Sequence, residues 1–138
     1  NGESSEIVEM LMALENPDDK IIAAVQGAVK WFVQSQIKGI RVIDVKAPKT
    51  EFIYHTSSND KEVVEDSDAP PIWTRFYELG THRPMFCKRS GEIVYSLAEV
   101  ERERRTGYAW YIYSPQQKID KYPDWQKNWA PDNNVLEN

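Results

Sequence analysis

Seven guanidinium groups are present in this 138-residue chain, and six of them fall between Pro71 and Tyr111: Arg75, Arg83, Arg89, Arg102, Arg104 and Arg105. The same segment holds eight of the sixteen aromatic side chains. A guanidinium presents a planar fork of donors that fits a carboxylate or phosphate, and an aromatic ring offers a flat apolar face. Together they suit an anionic ligand with ring structure. The same composition also fits arginines held in structural ion pairs. With Lys88 the segment carries seven basic residues against five glutamates, a net of +2, whereas the rest of the chain sums to -7. The overall charge of -5 argues against a general nucleic-acid binder.

The elements that must position these residues can be read in outline. Ile7, Leu11 and Leu14 follow helical spacing, and Asn16, Pro17, Asp18 and Asp19 then supply a cap, a first-position proline and two acids for a second helix. Its apolar stripe is Ile21, Val25, Ala28, Val29 and Phe32. Residues 1–38 thus predict a helical hairpin, which cannot bury both faces alone and is expected to be one unit of something larger. In residues 39–68, Ile43, Val45, Phe52, Tyr54, Val63 and Val64 sit in short β-prone runs, with Lys46 to Thr50 and Ser57 to Asp60 as turns. They predict a small antiparallel sheet.

Within residues 69–111 the local signal is sharper. Ser96-Leu97-Ala98-Glu99 is a capping box and Gly107 a stop, predicting a helix of about ten residues through Arg105. Arg104 lies seven residues beyond Leu97 and four beyond Val100, so it points toward the buried face. There it either meets a structural acid or lines a cleft, because a guanidinium buried unpaired is costly. Glu101 and Arg105 are spaced to pair, and Arg102 has no clear partner. Residues 112–138 read as a C-terminal tail with Trp125 and Trp129 as docking anchors.

Other groups carry less. The length and the 41% hydrophobic content suit one compact domain with a real core. No apolar run approaches the roughly 20 residues of a membrane helix, so no membrane partner is expected. The chain opens on Asn1 rather than Met, and any export signal is expected upstream. Cys87 stands alone, which excludes an internal disulfide and a multi-cysteine zinc site. His82 has no neighbour of catalytic spacing, His55 falls in a predicted strand at the surface, and Asp66 and Asp68 read as solvated loop acids. No metal ligands are assigned within the chain.

The run Ala69-Pro-Pro-Ile-Trp-Thr-Arg-Phe-Tyr-Glu-Leu-Gly-Thr-His-Arg-Pro-Met-Phe, with Arg89-Ser-Gly and Glu101-Arg-Glu-Arg-Arg-Thr-Gly-Tyr-Ala-Trp-Tyr, resembles the C-terminal end of the pectic acid lyases, polysaccharide lyase family 10. The resemblance implies a mainly α fold, with helical hairpins of an (α/α)3 toroid plus a small antiparallel β extension, only partly represented in this chain. It implies calcium-dependent β-elimination of 4-linked polygalacturonate, with an arginine taking the C5 proton. Arg89, in Arg-Ser-Gly, falls on the family's base. Arg75 and Arg104 match arginines expected to clamp substrate carboxylates; Arg83, next to Pro84, is either a further substrate contact or structural, and Tyr108, like the other aromatics of the segment, either stacks on a sugar ring or packs. Ser90 and His82 stand where the family usually has Asp and Asn, which could alter how Arg89 or Arg83 is held.

From the same resemblance, calcium is the implied cofactor, with ligands outside this chain. The implied partners are polygalacturonate, oligogalacturonides and the rest of the catalytic domain, and secretion or periplasmic export follows from the substrate. The chain by itself is expected to be inactive or nearly so. A non-catalytic polygalacturonate-binding or scaffold domain is the alternative, since arginine clamps alone could hold uronates.

Overall fold

A computed structural model describes residues 1–137. The expectation of a mainly α chain is corrected, because 39% of it is helical and 26% is strand in several antiparallel sheets. Two units divide the chain: residues 1–36 with 113–138, and residues 37–112.

The first unit contains α1 (Gly2–Met12), α2 (Asp19–Ser35) and α4 (Ser114–Trp129). The cap of α2 is Asp18 rather than Asn16: its Oδ1 accepts from the backbone N–H of Lys20 at 3.0 Å and of Ile21 at 2.9 Å. Asn16 instead turns the chain at φ 50°, a left-handed conformation that its short polar side chain tolerates, and so leaves Pro17 outside the helix. The face of α1 is also offset from the expected stripe. Ser5 and Val8 are buried and Leu11 joins the core, whereas Ile7 is 55% exposed and Leu14 lies past the end of the helix.

The stretch expected to be a tail is helix α4. Lys118, Tyr122, Trp125 and Trp129 fall on one helical face, so the four-residue spacing of the tryptophans records a core stripe. Tyr122 and Trp125 form the core with Val25 and Val29. Pro115 sits harmlessly in the first turn, and Pro123 forgoes one mid-helix hydrogen bond. This is the third helix that the hairpin lacks. Lys118, only 2% exposed, is neutralised by Glu9 of α1, whose second oxygen takes Lys121 Nζ at 2.7 Å.

The second unit starts with a long hairpin of β1 (Ile40–Glu51) and β2 (Thr56–Glu65), paired from Ile40↔Glu65 to Glu51↔Thr56. Both expected turns lie inside these strands. The register shifts between Lys46 and Thr50, an irregularity that accommodates Pro48, which has no N–H to give a ladder. The real turn is at residues 52–55, closed by Phe52 N–H donating to the His55 carbonyl at 2.9 Å. Short strands follow: β3 (Trp73–Thr74) pairs with β7 (Tyr111–Ile112), and β5 (Pro84–Cys87) lies between β4 (Phe76–Tyr77) and β6 (Ile93–Val94). Their core is Phe86, Val94, Leu97, Val100 and Trp110.

The single helix expected from Ser96 to Arg105 is two pieces, a 3₁₀ turn at Leu97–Glu99 and α3 (Arg102–Gly107). Ser96 Oγ caps the Ala98 N–H, but Val100 and Glu101 are extended, with ψ 141° and 142°. The break drops Val100 into the core. Arg105 Nη1 donates to the freed carbonyls, Val100 at 2.5 Å and Ala98 at 3.2 Å.

The Glu9 clamp makes the first unit sensitive to acid. Hydrogen bonds from Lys118 and Lys121 lower the Glu9 carboxyl from its ordinary 4.5 to about 2. The folded value is depressed, so the contribution is fully present above pH 4.5 and lost as pH falls toward 2. Melting temperature is expected to drop through that window, and Glu9→Gln should lower it at neutral pH and flatten the drop. Identical pH profiles for the two proteins would show that the clamp contributes nothing.

Candidate functional site

Three arginines of α3 leave a six-residue helix in different directions. Arg102 reaches the β1–β2 hairpin, donating to the carbonyls of Pro48, Ser57 and Asn59 and to Thr50 Oγ1 at 2.8 to 3.2 Å. Arg105 is bidentate to Asp60 of β2, with both bonds at 2.7 Å. The expected Glu101–Arg105 pair is therefore not formed, because the break at Val100 leaves Glu101 at the cap position, outside the helical turn that would align the two. The Arg105 hydrogen bonds hold the Asp60 carboxyl below the usual carboxylate range, against the effect of its partial burial.

Arg104 is the member of the trio that turns to an open cleft of about 590 Å³. Its Nε donates to the Cys87 carbonyl at 3.1 Å, and its guanidinium carbon lies 4.7 Å from the Tyr108 ring centre and 5.6 Å from that of Trp110. Of the two possibilities left open by the sequence, a structural acid or a cleft, the structure shows the cleft. The Trp110 indole N–H donates to the Arg104 carbonyl at 2.9 Å, fixing the helix end that carries it.

Arg89 enters the same cleft from the loop after β5. Its backbone N–H is shared by the two Glu101 oxygens, both at 3.2 Å, and its Nε donates to Glu103 Oε2 at 2.9 Å. The Glu101 carboxyl is held below its ordinary range by its own backbone N–H and then by that of Arg89, against desolvation. The Arg89 guanidinium also lies 5.0 Å from the Tyr54 ring centre. Glu103 Oε1 is buried and has no hydrogen-bond partner among the described residues. With Arg89 and Arg104 facing one Glu103, the lining is net cationic.

Tyr108, 42% exposed, lines the cleft beside Arg104, and Arg75 lies 5.7 Å from the same ring. The structure thus gathers Arg89, Arg104 and Tyr108 on one cleft and sets Arg75 against the Tyr108 ring. Arg83 is placed elsewhere, 3.5 Å from the Tyr95 ring centre, where Tyr95 Oη donates to Glu78 at 2.7 Å. His82, in the same loop, is left-handed at φ 56°.

Sequence reasoning passed over Tyr54, His55, Glu103 and Thr106, all of which line the cleft. Tyr54 and His55 arrive through the hairpin turn, from outside the arginine-rich segment. Gly107 ends α3, as the sequence predicts, and it has a second role. A Cβ there would stand 2.9 Å from His55 Cε1, so the residue is small to admit a ring. Asp66, expected as a solvated loop acid, is paired with Arg41 at 2.8 Å. Among the described residues no group of three or more His, Cys, Asp or Glu side chains could hold a metal ion, so the residues present do not fit a calcium site.

A family model for pectic acid lyase matches residues 1–119. Two similar solved structures are a family 10 polysaccharide lyase from Cellvibrio cellulosa and a mutant family 10 polysaccharide lyase from the same organism in complex with trigalacturonic acid. Each is 25% identical with a TM-score of 0.63 over 86% of this chain. This chain spans 33% of the length of each. No curated protein sequence matches it.

If the Asp60–Arg105 pair holds α3 in place, Asp60→Ala is expected to cost about 2 kcal/mol of stability, the scale of hydrogen bonds to a charged group. Asp44→Ala, which removes the exposed partner of Lys61, should cost under about 0.5 kcal/mol. Denaturant titration of both variants checks the contrast, and equal losses would count against this role for the pair.

Proposed function

The chain belongs to the pectic acid lyase family, and on that premise we propose that its cleft binds uronate units of 4-linked polygalacturonate during cleavage by β-elimination. The observation that carries the proposal is the convergence of Arg89 and Arg104 with Tyr108 on one cleft, while Arg102 and Arg105 of the same region are committed to the hairpin. A uronate offers a carboxylate to the guanidiniums and a ring face to the tyrosine.

In the elimination, the base takes the C5 proton, the C5–H electron pair is held first on the adjacent carboxylate and then forms the C4–C5 double bond, and O4 departs with the C4–O4 pair and takes a proton from water, leaving a 4,5-unsaturated uronate. Charge therefore builds on a carboxylate, and fixed guanidiniums lower the barrier by meeting it there. Arg104 and Arg75 are proposed as carboxylate clamps and Tyr108 as a ring platform. Arg89 is proposed as the base. Arg83, outside the cleft lining, is given no substrate contact.

One observation favours a second role for Arg89. Its Nε–H donates to Glu103, whereas a base must offer a lone pair, which a guanidinium has only after giving up a proton. As a donor, Arg89 would be a third clamp. No step proposed here passes through calcium, whose ligands would have to lie outside the described residues. Activity on an extracellular polymer would require secreted or periplasmic placement.

Full turnover is proposed to need sequence corresponding to more of the relatives' length than the 33% spanned here. The intact protein, incubated with polygalacturonate, is expected to generate ultraviolet absorbance from the unsaturated product, lost on adding a chelator. Reducing ends released without that absorbance would mean hydrolysis and overturn the proposal. As base, Arg89→Lys should lower kcat by about 10² or more with KM little changed. As clamp, it should raise KM as well, as Arg104→Ala is expected to do.

A further inference from the structure

The β1–β2 turn brings to the cleft a residue that the arginine chemistry does not use, His55. Its ring is held from three directions. Nε2 lies 2.9 Å from Thr106 Oγ1, the Phe52 ring packs at 5.2 Å, and a Cβ on Gly107 would stand 2.9 Å from Cε1, so a larger residue there would push the ring aside. A histidine serving only as surface would not need such ordering, which costs side-chain entropy.

The hydrogen-bond network assigns its tautomer. The Thr106 hydroxyl has one proton, and it donates that proton to the Arg102 carbonyl at 2.8 Å. Toward His55 it must accept, so the ring proton sits on Nε2 and Nδ1 carries a lone pair. Among the described residues nothing donates to that nitrogen. The surrounding polar groups make the lone pair significant. Arg89 and Arg104 are donors only, Glu103 Oε2 is taken by Arg89, and Glu103 Oε1 is buried. A saccharide presents hydroxyl protons as well as carboxylates, and Nδ1 is an acceptor for them beside the phenol oxygens of Tyr54 and Tyr108, fixed in direction where those hydroxyls rotate.

We propose that His55 contacts the substrate directly, accepting at Nδ1 a hydrogen bond from a ring hydroxyl of a bound galacturonate unit, with Thr106 as its positioning residue. This inference rests on the uronate-binding role of the cleft proposed above.

Two substitutions separate substrate contact from a packing role. Asn at this position can place its Oδ1 near the Nδ1 position but cannot reach Thr106, whereas Gln can place its amide N–H near Nε2 and leaves nothing at Nδ1. Trigalacturonate binding to the full chain would be measured by calorimetry, beside the melting temperature of each variant. His55→Gln is expected to weaken binding about tenfold, the scale of one hydrogen bond. His55→Asn should stay within about threefold of the parent while melting lower, because it loses the Thr106 bond. A packing role predicts the reverse order, with His55→Gln the milder change in both measurements, and that order overturns the inference.

If the parent chain itself fails to bind trigalacturonate, the uronate role of the cleft is what fails, and the His55 inference falls with it. If the parent binds and His55→Gln binds equally well, the cleft assignment stands and the His55 contact is refuted. Should His55→Gln not fold, Thr106→Val replaces it. That variant removes the acceptor that fixes the tautomer, and it is expected to weaken binding several-fold; unchanged affinity refutes the inference.

Discussion

The bidentate pair between Asp60 and Arg105 is the constraint on which the cleft depends. A helix of six residues has no independent stability in water, since it makes too few internal bonds to offset the cost of nucleation. α3 therefore exists because it is held from outside. Arg105 ties it to β2 and also closes the carbonyls freed at Val100, and Arg102 adds the carbonyls of the hairpin. With those two side chains fixed, the positions of Arg104, Thr106 and Tyr108 follow from the turn of a rigid backbone. The cleft side of α3 is as ordered as its hairpin side is well bonded.

This gives the arginine-rich segment a division of labour that composition could not reveal. Composition left even the choice between ligand and ion pairs open, and the structure shows both at once. Arg102 and Arg105 bond protein oxygens through all three of their nitrogens, while Arg104 makes one backbone bond and otherwise lies along aromatic faces. A guanidinium supported by rings is held in direction without having all its donors used, which is the state a clamp needs. Arg89 is intermediate, oriented by Glu103 and by the Tyr54 ring.

What was legible in the sequence was local. Helix spacing found α1 and α2, β-prone runs found an antiparallel sheet in residues 39–68 but not its strands or its turn, and rare-residue words found the segment that carries the cleft. The failures have a common physical origin. Asp18 won the cap over Asn16 because Asn16 could take the left-handed turn, and a proline placed at an irregularity let β1 run through an apparent breaker. The break at Val100 reflects a core contact outweighing a capping box, an outcome decided by residues far away in the chain. α4 escaped notice because its two prolines and polar composition hide a stripe that only becomes apolar against α1 and α2. His55 was beyond reach for the same reason, since its significance lies in Thr106 and Gly107, about fifty positions downstream.

The irregularity in β1 sets the phase of everything beyond it. Between the pairs Lys46↔Asn59 and Thr50↔Ser57, three residues on β1 face one on β2, so the longer strand carries an excess of two. Side chains alternate with period two along a strand, and an even excess returns the alternation to its original sense. An odd one would reverse it. Deleting a single residue from Ala47–Lys49 would put Thr50 and Glu51 out of step with Ser57 and Thr56, whose faces are set by the unbroken β2, so the end of the hairpin that carries Tyr54 and His55 would have to pair again around a one-residue bulge. Length at this point thus bears on the cleft wall: two residues gained or lost together keep β1 in step with β2, and one alone must be absorbed by a bulge next to the turn.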